Sequence, residues 1–126
     1  MTDVLLDTRA ILLWTTRADT LSDRVRRLLA DRRTRPTVSA ASVWELSIKQ
    51  RSGKLSLPES YVDTLLSSQI RFLAVSERDG RDAGQLPLHH KDPFDRMLIA
   101  QARREGLPII GSDAMFGPYD VEVIRR

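Results

Sequence analysis

Short apolar runs alternate with amphipathic stretches along the whole chain, and most runs end on a small or acidic residue. Val4-Leu5-Leu6 stops at Asp7-Thr8, the pattern of a buried strand running into a helix start, and Ala10 to Trp14 continues that helix. From about Ser22 to Ala30, Val25, Leu28 and Leu29 share one face of a second helix. Pro36-Thr37-Val38-Ser39 reads as a second strand. Ser39 or Ser42 then caps a helix that carries Trp44, Leu46 and Ile48 and ends at Gly53. Leu57-Pro58-Glu59 starts another, with Val62, Leu65 and Leu66 on a common face. Arg71 to Val75 alternates as a third strand, and Ser76 caps a helix to about Gln85. A loop over 86–91 leads to a helix over 93–105, stopped by Gly106. Leu107 to Ile110 is a fourth strand closing on Gly111-Ser112-Asp113, and Val121 to Ile124 a fifth. Strands alternating with helices predict an α/β fold with a parallel sheet covered on both faces. No repeat, low-complexity segment or linker interrupts the pattern, so residues 1–126 are expected to form a single domain.

Composition narrows the chemistry. A chain of 126 residues buries about two-thirds of the surface its unfolded form exposes, enough for a core without staples. The absence of cysteine excludes disulfides, thiolate metal sites and cysteine nucleophiles, and fits a reducing compartment. The longest apolar runs, such as Ala10 to Trp14 and Met97 to Ala100, are too short to span a bilayer. The start Met1-Thr2-Asp3-Val4 lacks the basic and apolar regions of a secretory signal, so a cytoplasmic protein is expected. A formal charge of +3 suggests a polyanionic partner. Of the 20 cationic residues, 17 are Arg, a bias that a GC-rich genome produces by itself. The dense cluster Arg24, Arg26, Arg27, Arg32, Arg33 and Arg35 reads first as a solvated helix face and the loop after it, with Asp23 and Arg27 paired at i,i+4.

Four acids stand where such a fold brings distant segments together: Asp7, Glu45, Asp95 and Asp113. Asp7 follows the first strand and Asp113 the fourth, and ligands of open α/β sheets bind outside the carboxyl ends of the strands. Either one alone reads more plainly as a helix N-cap; two on one edge favour a site. Glu45 lies in a mostly apolar helix between Trp44 and Leu46, which places buried neighbours beside it, and its plain alternative is a surface pair with Lys49. In Asp92-Pro93-Phe94-Asp95, Asp92 is the economical N-cap, with Pro at the first helical position. At the third helical position Asp95 either completes the local cap or faces a pocket, its charge favoured by the helix dipole. It is assigned to the site and Asp92 to structure, with an outer place around the site left open for Asp92.

Such a cluster needs compensation. Two carboxylates about 4 Å apart repel by roughly 4 kcal/mol at an effective dielectric of about 20. Without a partner, at least one holds a proton. Oxygen ligands alone suit a hard cation, Mg²⁺ or Mn²⁺, and the chemistry that follows is metal-assisted hydrolysis of a phosphodiester. Arg9, Lys49, Arg96 and Ser112 are candidate phosphate contacts, although cations beside acids more often form ion pairs. His89-His90 has no second histidine elsewhere to build a zinc site and reads as a loop near the Asp92 cap.

Several segments resemble PIN-domain ribonuclease toxins of the VapC type: Val4-Leu5-Leu6-Asp7-Thr8, Ser39 to Lys49, Gly53-Lys54-Leu55 and, most specifically, His90 to Ala102. Ser112-Asp113 and Phe116 fit the closing motif. The resemblance implies a three-layer α/β/α sandwich with a sheet ordered 3-2-1-4-5, which would set Asp7 beside Asp113. It implies catalytic acids at Asp7, Glu45, Asp95 and Asp113 around Mg²⁺ or Mn²⁺, with Asp7, Asp95 and Asp113 as metal ligands. Thr8 and Ser112, adjacent to two of those acids, become supporting hydroxyls. It further implies an RNA substrate, a small cognate antitoxin that covers the groove with a basic side chain near the acids, and a homodimer. Such toxins usually carry His where this chain has Arg9, a permanent cation able to pair with an acid or grip phosphate. Two rival readings remain from the residues themselves. One is a catalytically inactive nucleic-acid or protein-binding module on the same scaffold, its acids serving as caps. The other is a phospho-acceptor domain using Asp7, for which the first loop offers no supporting acid pair.

Overall fold

The computed structural model describes residues 2–58 and 61–126. Strands β1 (Thr2–Leu6), β2 (Thr34–Ser39), β3 (Arg71–Leu73), β4 (Ile109–Gly111) and β5 (Val123–Arg125) form one parallel sheet in the order β3-β2-β1-β4-β5. Between them run helices α1 (Thr8–Thr16), α2 (Asp23–Ala30), α3 (Ala40–Arg51), α4 (Tyr61–Ser67), α5 (Glu77–Gln85), α6 (Pro93–Glu105) and α7 (Asp113–Phe116). The sheet is the one the sequence resemblance implies, a PIN-like α/β/α sandwich.

β1 lies at the centre because it is apolar on both faces. Val4 and Leu6 meet Ile11, Val25, Val38, Leu46, Tyr61, Leu65 and Ile110, which is the layer of α1 to α4. Leu5 turns the other way, to Leu98, Ile99, Ala102, Ile109 and Phe116, which is the layer of α6 and α7. That alternation follows from the two-residue period of a strand. β1 is flanked by β2 on one side and β4 on the other, so the strand order reverses there and opens a crevice at the carboxyl ends.

Local chemistry sets the helix boundaries. Asp7, Ser22, Ser39, Ser76 and Asp92 each accept a bond from a backbone amide of the helix they precede. Gly106 ends α6 in the left-handed conformation, with φ of 67°. Some elements differ from the sequence expectation, and one expected boundary is not described. The expected helix start at Leu57-Pro58-Glu59 includes Glu59, which lies outside the described residues. In α4 the buried pair is Tyr61 and Leu65, while Val62 and Leu66, one position on, face solvent. β3 stops at Leu73 because it is an edge strand that pairs only with Thr37 to Ser39 of β2, and Val75 is exposed. The four-residue α7 and a 3₁₀ turn at Ala18–Thr20 have no apolar periodicity to announce them.

Candidate functional site

The carboxyl end of β1 delivers Asp7 to the crevice. As N-cap of α1 its Oδ1 accepts from the Ala10 amide at 2.7 Å, so the capping role and a place in the site coexist. Gly111 at the end of β4 makes room for it: a Cβ there would lie 2.5 Å from the Phe116 ring and 3.0 Å from Asp7 Oδ2. Glu45 is carried in by α3 and is buried. Thr8 Oγ1 donates to Glu45 Oε1 at 2.6 Å and lies 3.1 Å from Ser42 Oγ, while Lys49 Nζ stands 2.8 Å from Oε2. The surface-pair reading of Glu45 thus holds in its partner but not in its exposure. Leu46 beside it is buried, but Trp44 is 64 % exposed and packs edge-on against Phe94.

Asp92 and Asp95 divide their work as their positions in α6 dictate. Asp92 Oδ1 accepts from the amides of Phe94 and Asp95 at 2.8 and 3.1 Å. Asp95 Oδ2 lies 2.7 Å from His90 Nε2. Asp7, Glu45, Asp92 and Asp95 line a single cavity of about 500 Å³, together with Thr8, Leu12, Leu46, Leu55 and Met115, and with the cations Arg9, Lys49, Lys54 and Arg126.

Burial raises the Asp7 pKa; Arg126 opposes the shift, and the Glu45 charge adds to it. Asp95 is likewise raised by burial and by Asp92 and Glu45, with His90 opposing. Lys49 is held protonated by its bond to Glu45 and by the charges of Asp92 and Asp95. These acids therefore feel one another across a shared space, the condition in which carboxylates favour a cation or a proton.

Not every expected residue is in the cavity. Asp113 does not line it: as the first residue of α7 its side chain, 47 % exposed, turns to Arg125 on β5. The register of β1 with β4 does bring those strand ends side by side, but the short helix rotates the carboxylate away. Ser112 precedes α7 without a side-chain capping bond. Arg96 is buried and binds backbone carbonyls, those of Ala83 and Leu86 at 2.9 Å and those of Pro87 and His90 at 3.1 Å, so a phosphate contact is corrected to a structural clamp on the loop before α6. Tyr119 assists, donating to Pro87 O at 2.7 Å and accepting from the His90 amide at 2.9 Å. Sequence reasoning missed Arg126, which binds Asp7, and the His90 contact with Asp95. The His90 contact was within reach, five residues from Asp95; Arg126 lies 119 residues from Asp7, with no local signal.

The donor set suits Mg²⁺ or Mn²⁺, since every candidate ligand is a carboxylate oxygen. Among the described residues, no three His, Asp or Glu side chains converge tightly enough to grip an ion together. That rules out a fully stripped cage; Mg²⁺ commonly takes only one or two carboxylates directly and keeps its waters. Asp7, Glu45 and Asp95 are the carboxylates on the cavity wall available to such an ion.

The family model of the PIN domain matches residues 4–121. No curated protein matches the sequence. Among solved structures, the chain is similar to VapBC2 from Rickettsia felis, bound to a DNA fragment from its promoter, with 15% identity, a TM-score of 0.73 and 98% of each chain covered. It is also similar to DNA-bound VapBC from Salmonella typhimurium, with 18% identity, a TM-score of 0.71 and 98% of each chain covered. A toxin-antitoxin complex from Klebsiella pneumoniae gives 18% identity and a TM-score of 0.67, covering 97% of this chain and 96% of that one. At these identities the likeness establishes the fold.

Proposed function

The chain belongs to the PIN-domain family, and from that premise we propose that it is a metal-dependent endoribonuclease of the VapC type, the toxin of a toxin–antitoxin pair. The observation that carries the reading is the gathering of Asp7, Glu45 and Asp95 on one cavity rimmed by Arg9, Lys49 and Lys54. Acids bind the ion and the basic rim receives an RNA phosphodiester. Mg²⁺ or Mn²⁺, held by Asp7 and Asp95, would supply Lewis-acid polarisation and a nucleophilic water of lowered pKa. The chain's own residues do the rest. Thr8 fixes the Glu45 carboxylate, His90 orients Asp95, and Arg9 and Lys54 hold the substrate backbone. Purified protein is expected to cut RNA with Mg²⁺ and to stop in EDTA. Asp7→Asn and Asp95→Asn each lower the rate by about a hundredfold or more with an unchanged circular dichroism spectrum. Cutting that survives both substitutions would remove these roles.

The neighbours support the partners. A complex described as toxin–antitoxin shares this fold, and we assign this chain a small antitoxin that covers the cavity with a basic side chain; adding that protein should halt cleavage. A second copy is the other partner. Trp44, Phe94, Met97 and Val75 line an apolar depression of about 420 Å³ beside α3 and α6, and homodimerisation would cover it. Light scattering should give twice the chain mass for the wild type and the single-chain mass for Trp44→Glu. Among the described residues no helix is long and apolar enough to cross a membrane. The proposed RNA substrate makes the cytoplasm the proposed place of action.

One observation favours the non-catalytic alternative: Asp7, Glu45 and Asp113 each have a cationic partner from this chain, and Asp95 is bonded to the His90 ring. A binding module of that kind would show metal-independent RNA or protein binding and no thermal response to Mn²⁺.

A further inference from the structure

We propose that Arg126 is an internal counter-ion that competes with a divalent cation for Asp7, so that the Arg126–Asp7 pair and cation binding exclude each other. The inference rests on the metal-centre reading above and concerns how that centre is filled.

Asp7 is 2 % exposed, and its carboxylate offers about four acceptor positions. The Ala10 amide takes Oδ1 at 2.7 Å. Arg126 Nε lies 3.1 Å from both oxygens, and Nη2 lies 2.9 Å from Oδ2. These contacts engage both oxygens, so a cation reaching Asp7 must move the guanidinium aside. A dication held at the same carboxylate would also face the Arg126 charge at ion-pair range, where like charges repel strongly.

The geometry leaves the side chain as the part that yields. The Arg126 amide donates to Gly111 O at 3.1 Å, and its carbonyl accepts from the Ser22 amide at 2.6 Å. The side chain is 27 % exposed and lines the cavity, so it can swing out while the backbone stays. Glu45 and Asp95 have less extensive contacts with the basic side chains beside them. Lys49 reaches Glu45 through one contact at 2.8 Å from a half-exposed side chain, and His90 reaches Asp95 through one nitrogen. Among the described residues of the cavity, Arg126 is the one that presents a planar fork to an acid, the arrangement in which guanidinium binds carboxylate most firmly.

The test is calorimetric titration of Mn²⁺ into the whole chain at pH 8, with circular dichroism to verify folding. Arg126→Gln should bind Mn²⁺ about tenfold more tightly than wild type, the equivalent of losing one charge-assisted competitor. Arg126→Met, which keeps the apolar stem, carries the same expectation should the Gln chain melt early. Arg126→Lys keeps the charge but loses the fork, so its affinity should fall between wild type and Arg126→Gln, while Arg125→Gln, whose partner Asp113 lies outside the cavity, should stay at the wild-type value. Affinity in Arg126→Gln and Arg126→Met equal to or weaker than wild type overturns the competition and leaves Arg126 as a support for Asp7. Absence of Mn²⁺ binding in every chain removes the metal-centre reading, and the competition with it.

Discussion

At the scale of single residues, the acids of the cavity carry two duties that are usually weighed as alternatives. Asp7 is both the N-cap of α1 and a wall of the cavity; Glu45 is both the i,i+4 partner of Lys49 and buried. Thr8 shows how such a double role is enforced. It is buried and gives its hydroxyl to Glu45 at 2.6 Å. Replacing it by Val keeps the shape and removes a bond to a charged acceptor, worth about 1.5–3 kcal/mol. Thr8→Val should lower the urea midpoint accordingly and, with Glu45 free to turn, slow RNA cleavage about tenfold or more. Unchanged cleavage would mean that Lys49 alone positions Glu45. Asp7, Thr8 and Asp95 were legible in the sequence because each follows a strand or sits near a helix start, and Glu45 because it is an acid within a mostly apolar helix. Their partners were less so. Arg126 meets Asp7 through strand order, which spacing along the chain does not encode, and Asp113 leaves the cavity because a four-residue helix turns it toward Arg125.

At the scale of elements, α5 and α6 are held together by a polar anchor away from the cavity. Asp79 closes a capping box with Ser76 and is fully buried. Burial by itself would raise its pKa, but bonds from Arg104, the Ser76 amide and Gln101 overcome it and hold the carboxyl at about 2. The unfolded chain titrates near ~3.9, so at low pH it binds the proton that the fold excludes. The pair thus contributes roughly 2.5 kcal/mol above about pH 4, and that contribution is lost as pH falls from about 4 to 2. Arg104→Met would strand Asp79 without its cation and should cost about 3–5 kcal/mol at pH 7, read from urea unfolding. Much of that deficit should vanish near pH 2, where Asp79 protonates; an equal deficit at both pH values would show that Arg104 acts by packing. The helix pattern itself was plain from sequence, since Ser76, Asp92, Pro93 and Gly106 are strong local signals. The Asp79–Arg104 bond, 25 residues long in sequence, became visible only once α5 and α6 packed.

At the scale of the whole molecule, the anchor and the cavity respond to pH with opposite signs. The sheet order reverses at β1 and gathers Asp7, Glu45 and Asp95 in one crevice, where Asp7 and Asp95 have raised pKa values. A group whose folded pKa lies above its unfolded value stabilises the fold below the unfolded pKa and loses that contribution as pH rises through the folded pKa. Asp7 and Asp95 are therefore a load on stability at neutral pH, while the Asp79 anchor is at full strength there. A divalent cation relieves that load by taking the place of protons and internal cations. At a hundred times its dissociation constant, Mn²⁺ adds about 2.7 kcal/mol, which for a chain of this size raises the melting temperature by roughly 10 °C. Because carboxylates must be deprotonated to bind, the rise should be largest at pH 7–8 and shrink toward pH 5. It should vanish in an Asp7→Asn, Asp95→Asn double variant. A melting temperature indifferent to millimolar Mn²⁺ at pH 8 would leave the acids as caps and ion-pair partners, and the fold as a scaffold for binding alone.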